Sequence, residues 1–238
     1  MPLTSSDATP ATLPPADFAA RLREALSALA DPQRAPAMAA YMKGHFAFFG
    51  VPMPARRAAV KPLVVALGRR PDPDWLLAVA EALWACEERE CQYVAADLLV
   101  KFARLLEARH EPRLARLVQT RAWWDTVDPL ASRVYGTLVR SAPALCERLD
   151  AYASHPDLWL RRVAILHQLS CADDTDRARL DAILTANLAH TDFFIRKAMG
   201  WALREFAYTD PDWVRAWLGA HADEVSGLTR REALKRIG

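Results

Sequence analysis

Apolar residues recur at intervals of three and four through almost the whole chain, and this spacing limits the possible folds more than any other feature. The period places apolar side chains on one face of an α-helix. Only 8 of the 238 residues are glycine, whereas Ala, Leu, Arg and Glu are plentiful, which favours helix over strand. We therefore predict an all-α protein.

The apolar segments follow one another after short breaks, which predicts helical hairpins. The first four predicted helices span residues 16–29, 36–49, 54–69 and 72–85. Three of the breaks resemble one another, because each contains an Asp that can cap the next helix, and a Pro, and a Trp follows closely. These breaks are Pro71-Asp72-Pro73-Asp74 before Trp75, His155-Pro156-Asp157 before Trp159, and Thr209-Asp210-Pro211-Asp212 before Trp213.

This weak self-similarity predicts HEAT-like helical repeats of roughly 40 to 47 residues each. Stacked repeats form a solenoid whose concave face is able to cradle duplex DNA or a partner helix. A compact, irregular helical bundle is the alternative. We predict one repeat domain over residues 16–238 and a flexible tail over residues 1–15, which are rich in Pro, Ser, Thr and Ala.

Composition excludes several classes of protein. The formal net charge of +2 is too mild to indicate nucleic-acid binding, so only local clusters of cations carry that argument. No apolar run approaches the length of a membrane span, and the first residues do not resemble a signal peptide, so we expect a cytoplasmic protein without membrane contact. The four cysteines lack metal-site spacing, and no glycine loop for phosphates is present, so we expect neither a metal nor a cofactor.

Residues 120–138 form the most unusual segment of the chain, because two adjacent tryptophans cannot share one burial face of a helix. Trp123 aligns with a core stripe that continues through Val127, Leu130 and Val134. Trp124 aligns instead with Asp128 one turn later, so an aromatic ring and a carboxylate stand together on another face.

Pro129 leaves two interpretations of Asp128 open. If Pro129 is the first residue of a helix, Asp128 is merely its cap. If the helix runs through Pro129, it is kinked there, and Asp128 stands beside an exposed Trp124 as a candidate functional carboxylate.

Two later helices carry cations on partly apolar faces. Arg162 shares its face with Leu158 and Ile165, where a guanidinium needs an anionic partner such as Asp128 or a DNA phosphate. Lys197 and Arg204 flank Trp201, a mixture of cations and an aromatic ring that suits a DNA backbone.

Ordinary packing of an amphipathic helix explains the pattern around Trp201 equally well. Whether the other basic residues contribute to DNA binding depends on whether the repeats place them along one wall of the concave face. They are Lys43, Arg56, Arg57, Arg230, Arg231, Lys235 and Arg236.

At these same residues the sequence resembles the AlkD family of bacterial DNA glycosylases, which act in base excision repair of alkylation damage. The matching blocks occur in the same order from about residue 17 onwards. They are Tyr41-Met42-Lys43-Gly44-His45-Phe46, Pro54-Ala55-Arg56-Arg57, Trp123-Trp124-Asp125-Thr126-Val127-Asp128, Trp159-Leu160-Arg161-Arg162 with Ala164-Ile165, Phe193-Phe194-Ile195 with Lys197-Ala198, Gly200-Trp201 with Leu203-Arg204-Glu205, and residues 226–235.

The resemblance implies a HEAT-like solenoid that binds double-stranded DNA containing alkylated bases, as a monomer. It implies that Asp128 is the catalytic carboxylate and that Trp124 and Trp201 face the deoxyribose. It also places other residues at the DNA or in the cleft, namely Arg162, Tyr41, Lys43, Phe193, Phe194, Lys197, Arg204, Arg230 and Arg231.

The implied reaction is monofunctional hydrolysis of the N-glycosidic bond, which releases cationic bases such as 3-methyladenine and 7-methylguanine without base flipping and leaves an abasic site. The sequence departs from the family pattern at Pro129 and its neighbours up to Tyr135. A non-catalytic repeat protein that binds DNA or a protein partner is the alternative.

Overall fold

The computed structural model describes residues 13–237. Most of the predicted tail therefore lies outside the described residues, and the first helix already begins at Pro15. The all-α prediction is confirmed, since residues 13–237 contain helices and a single isolated β-bridge between Ala47 and Glu88 but no strand. This helical hairpin architecture is the one expected of a repeat protein.

The chain divides into two compact units, Met1–Leu106 and Glu107–Gly238. The single domain predicted for residues 16–238 stays a prediction. The first unit contains α1 (Pro15–Ser27), α2 (Ala35–Tyr41), α3 (Met53–Ala66), α4 (Pro73–Trp84) and α5 (Arg89–Lys101), followed by a short 3₁₀ turn at Ala103–Leu105.

The core of the first unit lies where α4 packs against α1 and α5. Phe18, Leu22 and Leu26 are fully buried at four-residue spacing on α1, which is the spacing that puts them on one face. Leu76 and Leu83 are fully buried on α4. The helical period read from the sequence therefore identified the core face of α1.

The predicted helix over residues 36–49 is wrong in its second half. The helix ends at Tyr41, and the backbone of Lys43 and Gly44 adopts left-handed conformations with φ of 58° and 75°. Such a conformation stops an α-helix. In the segment that follows, the amides of Gly50 and Val51 donate hydrogen bonds to the buried carboxylate of Glu90 at 2.9 and 3.0 Å. A distant acid thus supplies the acceptor for backbone amides outside the helix.

In the second unit α10 occupies the centre, because it packs against α6, α7, α9, α11, α12 and the π-helix. The helices are α6 (Glu111–Gln119), α7 (Trp124–Pro129), a π-helix (Leu130–Tyr135), α8 (Gly136–Ser141), α9 (Cys146–Tyr152), α10 (Leu158–Leu166), α11 (Arg177–Thr185), α12 (Phe193–Phe206), α13 (Pro211–Ala220) and α14 (Gly227–Leu234). Three short 3₁₀ turns, Ala108–His110, Pro143–Leu145 and Ala172–Asp174, lie between them.

The predicted aspartate caps are confirmed at all three repeated breaks. Asp72 accepts the amide of Trp75 at 2.7 Å, and Asp210 accepts that of Trp213 at 2.9 Å. Asp157 accepts two amides, those of Trp159 and Leu160, at 3.0 Å each. Each cap satisfies amides that the first turn of a helix leaves without an acceptor, so the breaks define where helices begin.

Gly200 lets α12 and α14 approach closely. A methyl group there would lie 2.4 Å from the Cβ of Glu232 and 2.7 Å from the carbonyl oxygen of Thr229. We expect Gly200→Ala to lower the free energy of unfolding by about 2 kcal/mol, because the clash outweighs the better helix propensity of alanine. Gly219→Ala is the matched control, since Gly219 on α13 has open space around it and should gain about 0.5 kcal/mol. Urea unfolding of both variants checks this, and equal effects would contradict it.

Candidate active site

The helical run that carries Asp128 changes its geometry at Pro129. Trp123 is extended and caps α7, which begins at Trp124. Pro129 has no N–H and lies inside the helix, and the next six residues, Leu130–Tyr135, form the π-helix. The hydroxyl of Ser132 donates to the Asp128 carbonyl at 2.8 Å. Proline and a π-turn are each known causes of helix distortion, and here both follow the carboxylate directly.

The interpretation of Asp128 as a helix cap is therefore wrong, because the helix starts four residues earlier. Trp124 and Asp128 both lie within α7, one turn apart, so the predicted alignment of ring and carboxylate is present. Trp123 does not belong to the core stripe predicted for it, since it precedes the helix. Val127 and Leu130 of that stripe are fully buried, as predicted.

Asp128 and Arg162 form a bidentate ion pair between α7 and α10. Nε of Arg162 donates to Oδ1 of Asp128 at 2.7 Å, and Nη2 donates to Oδ2 at 2.9 Å. The side chain of Arg162 is only 4% exposed and that of Asp128 is 14% exposed. Nη1 of Arg162 donates to the carbonyl of Phe194 on α12. One guanidinium thus joins three helices. Within the ion pair, the Asp128 carboxylate is more accessible to solvent than the guanidinium.

Burial raises the pKa of the Asp128 carboxyl above its ordinary value, and the hydrogen bonds and charge of Arg162 oppose that rise. The neighbouring charge of Asp125 also raises the pKa. Each carboxylate oxygen has one bond to Arg162 and retains capacity for another acceptor contact. Asp128 is therefore a positioned, partly accessible anion.

Aromatic rings pack next to this ion pair. The rings of Trp123 and Trp159 lie 5.0 and 5.1 Å from that of Phe194, whose carbonyl binds Arg162. Phe193 is exposed and lies 5.4 Å from Phe194. Trp159 was not among the predicted site residues, although it follows a capping motif and belongs to a matching block, and Trp123 was predicted to lie in the core. The recurrence of Trp after each capping Asp was the available signal.

Trp201, the second predicted aromatic wall, lies on α12 two turns after Phe194 and is half-buried, as is Trp124. Ile195, Met199 and Phe206 form the buried face of α12. The opposite side of this helix leaves part of Trp201 accessible. Its role at a sugar stays a prediction.

Lys197 and Arg204 of α12 bind one carboxylate on α14. Arg204 Nη1 lies 2.7 Å from Oε2 of Glu232, and Lys197 Nζ contacts Oε1. Lys235 also lies 2.6 Å from Oε1. Glu232 was not among the predicted site residues, because its partners on α12 are far away along the chain.

The other predicted DNA contacts belong to both units. Arg230 donates to the carbonyls of Leu218 and Ala222 at 3.2 Å each, at the end of α13, whereas Arg231 is exposed. Tyr41 and Lys43 are exposed residues of the first unit. These hydrogen bonds tie Arg230 to the end of α13, and the binding roles of all four residues stay predictions.

Residues 13–237 contain no group of three or more His, Cys, Asp or Glu side chains arranged to hold a metal ion. No disulfide joins the four cysteines. None of the helices in this part of the chain combines the length and the apolar character needed to cross a membrane.

Comparisons with known proteins agree on one family. Residues 22–237 match the family model described as DNA alkylation repair enzyme. A solved structure described as a predicted DNA alkylation repair enzyme from Enterococcus faecalis is 31% identical, with a TM-score of 0.80 over 88% of this chain and 97% of that one. No curated protein is detectably similar to the chain.

The ion pair between Arg162 and Asp128 predicts a large stability effect. We expect Arg162→Met to lower the free energy of unfolding by about 3–5 kcal/mol, because it leaves a largely buried carboxylate without its partner. Adding Asp128→Asn to this variant should restore part of the loss. The control is Arg179→Met, which breaks pairs with the more exposed Asp150 and Asp176 and should cost under about 1 kcal/mol. Urea unfolding measures all three, and similar losses at Arg162 and Arg179 would refute the argument.

Proposed function

The chain belongs to the DNA alkylation repair enzyme family, and on that premise we propose that it is a monofunctional DNA glycosylase. Its proposed substrates are purines alkylated at N3 or N7 in duplex DNA, such as 3-methyladenine and 7-methylguanine. The products are the free base and an abasic site. The observation that carries the proposal is the partly accessible Asp128 carboxylate, held by Arg162 one turn after a half-buried Trp124.

The chemistry of the lesion explains why one carboxylate is enough. A purine alkylated at N3 or N7 already carries positive charge, so it leaves without being protonated. The main barrier is the positive charge that develops on the deoxyribose as the glycosidic bond stretches. Asp128 is an anion suited to stabilise that charge and to orient the attacking water. The remaining acceptor capacity of both its oxygens serves these two contacts.

Arg162 acts in this proposal as a positioning residue rather than as a phosphate contact. Its Nε, Nη1 and Nη2 atoms all donate to protein acceptors, and the side chain is almost completely buried. Because the side chain is only 4% exposed, a DNA phosphate has little access to the two remaining N–H donors. Its function is to hold Asp128 as an oriented carboxylate against the effect of burial.

Trp124 and Trp201 complete the site as aromatic faces for the deoxyribose, since the face of a Trp ring favours an adjacent cation. Recognition then depends on the charge and lability of the lesion rather than on its hydrogen-bonding edge. Base flipping, which costs a few kcal/mol of unpairing and unstacking, is not required for such recognition. We therefore propose that the damaged base is released without being extruded into a pocket.

The direct test is release of free base from duplex DNA that carries one 7-methylguanine. We expect wild-type protein to release it well above the spontaneous rate, and Asp128→Asn to lower the enzymatic rate at least about 100-fold while DNA binding persists. Asp125→Asn is the matched control on the same helix, and it should change the rate by no more than a few fold near neutral pH.

Salt-sensitive DNA binding without base release by the wild type would identify a non-catalytic DNA-binding protein and refute the glycosylase proposal. Absence of both activities would favour a protein-binding repeat protein.

The enzymatic rate should fall at acid pH, because Asp128 acts as an anion and protonation removes it. Since burial raises the pKa of Asp128, the acid limb should have its midpoint above the ordinary aspartate value of about 3.9. Asp125→Asn removes a charge that raises this pKa, so its limb should move to lower pH. Rate profiles corrected for spontaneous release check this, and a rate that rises with acidity would indicate a general acid instead.

A further inference from the structure

Three cations converge on one buried carboxylate at the packing of α12 against α14. The two oxygens of Glu232 are shared by Lys197, Lys235 and Arg204. The Glu232 side chain is only 5% exposed, whereas the cations are 36%, 54% and 28% exposed in that order. The anion is therefore enclosed by the protein, and the positive groups lie between it and solvent.

The charges of this cluster do not cancel. One cation is enough to neutralise Glu232, and three leave a net charge of +2 on partly exposed groups. Burial alone would raise the pKa of Glu232, but the hydrogen bonds and charges of Lys197 and Lys235 outweigh it and lower the pKa to about 2. Glu232 is thus an anion at every relevant pH, and the surplus of two positive charges is permanent.

The cluster also retains donors that Glu232 does not use, on side chains that are partly exposed. An ammonium has three N–H donors and a guanidinium has five, and the bonds to Glu232 occupy only part of them. A single rigid carboxylate fixes where the three cationic groups sit, which lowers the entropy lost when an anion binds. Such an arrangement suits the oxygens of a phosphodiester.

Trp201 places this cluster in relation to the candidate active site. Lys197, Trp201 and Arg204 follow one another at spacings of four and three on α12, so they share one face of that helix. Resting on the proposed glycosylase function, we infer that Lys197, Arg204 and Lys235, organised by Glu232, bind the DNA backbone phosphate next to the nucleotide whose sugar contacts Trp201. Glu232 is a positioning residue, since it touches the cations and not the DNA.

The first test is the salt dependence of binding to undamaged duplex DNA by the full chain. Neutralising one phosphate contributes about 0.9 to the slope of log K against log salt. We expect the double variant Lys197→Gln and Lys235→Gln to make this negative slope about 0.9 less steep and to weaken binding. The control is the pair of changes Arg215→Gln and Arg179→Gln, which removes the same charge from cations paired with other acids.

A slope of the double variant that equals the wild-type value would overturn the inference. A loss of slope that is the same in the control pair would also overturn it, because it would reflect net charge alone. Thermal unfolding of both double variants confirms that the comparison is made between folded proteins.

The second test locates the phosphate. The duplex carries 7-methylguanine on a 2′-fluoro sugar, whose electron-withdrawing fluorine disfavours the cationic sugar and so preserves the bond. Neutral methylphosphonates then replace single phosphates near the lesion. We expect one replacement beside the lesion to weaken binding by the wild type but not by the double variant of Lys197 and Lys235, because both remove the same contact.

The assignment would be overturned if the losses of affinity from the methylphosphonate and from the double variant were additive at every phosphate beside the lesion. Coupling between the two changes only at a distant phosphate would also overturn it. Base release from ordinary 7-methylguanine DNA is measured separately with the wild type. Failure of that reaction, with the expected coupling intact, would refute the glycosylase proposal and leave a phosphate site, so the two failures are distinguishable.

Discussion

The guanidinium of Arg162 is the contact on which the second unit depends. It holds the Asp128 carboxylate on α7 with two hydrogen bonds and the Phe194 carbonyl on α12 with a third, and it does so from the buried face of the central helix α10. A buried charge is costly unless it is paired and hydrogen-bonded. Each partner lies on a different helix, so the free-energy cost of burying the charge is offset only when the helices pack in this one arrangement.

The two residues of this ion pair differ in their access to solvent. Arg162 is enclosed, whereas Asp128 is partly accessible and keeps acceptor capacity on both oxygens. The distortion that follows Asp128 contributes to this geometry, since Pro129 and the π-helix interrupt the regular amide ladder and Ser132 supplies a donor to the Asp128 carbonyl. A π-turn inside a helix is frequent at functional sites, and here it directly follows the carboxylate proposed to act in catalysis.

Local arrangement of charge matters more in this protein than its total. The formal net charge of +2 over 238 residues says little about DNA. Around Glu232, however, three cations meet one carboxylate, and two of them, Lys197 and Arg204, flank Trp201 on α12, which concentrates an equal surplus at one place. By contrast, Arg230, which is close by in the sequence, donates to backbone carbonyls at the end of α13.

Local physical chemistry in the sequence determined the helices, the caps and the faces. The all-α fold followed from the apolar period, the capping role of Asp157 followed from its position before an apolar run, and the alignment of Trp124 with Asp128 followed from the helical pitch. Each of these properties depends on residues a few positions apart. The end of α2 was mispredicted because the apolar pattern continues through a segment where the backbone of Lys43 turns left-handed.

Tertiary structure decided which side chains meet. Asp128 and Arg162 are 34 residues apart and Arg204 and Glu232 are 28 apart, so no period along one helix pairs them. The sequence showed that Arg162 needed an anion, and packing of α10 against α7 supplied Asp128 as that anion. Tertiary packing also places Trp123 against Phe194 rather than in the predicted core stripe. A helical pattern fixes directions around one axis, whereas contacts across helices depend on how several axes pack at once.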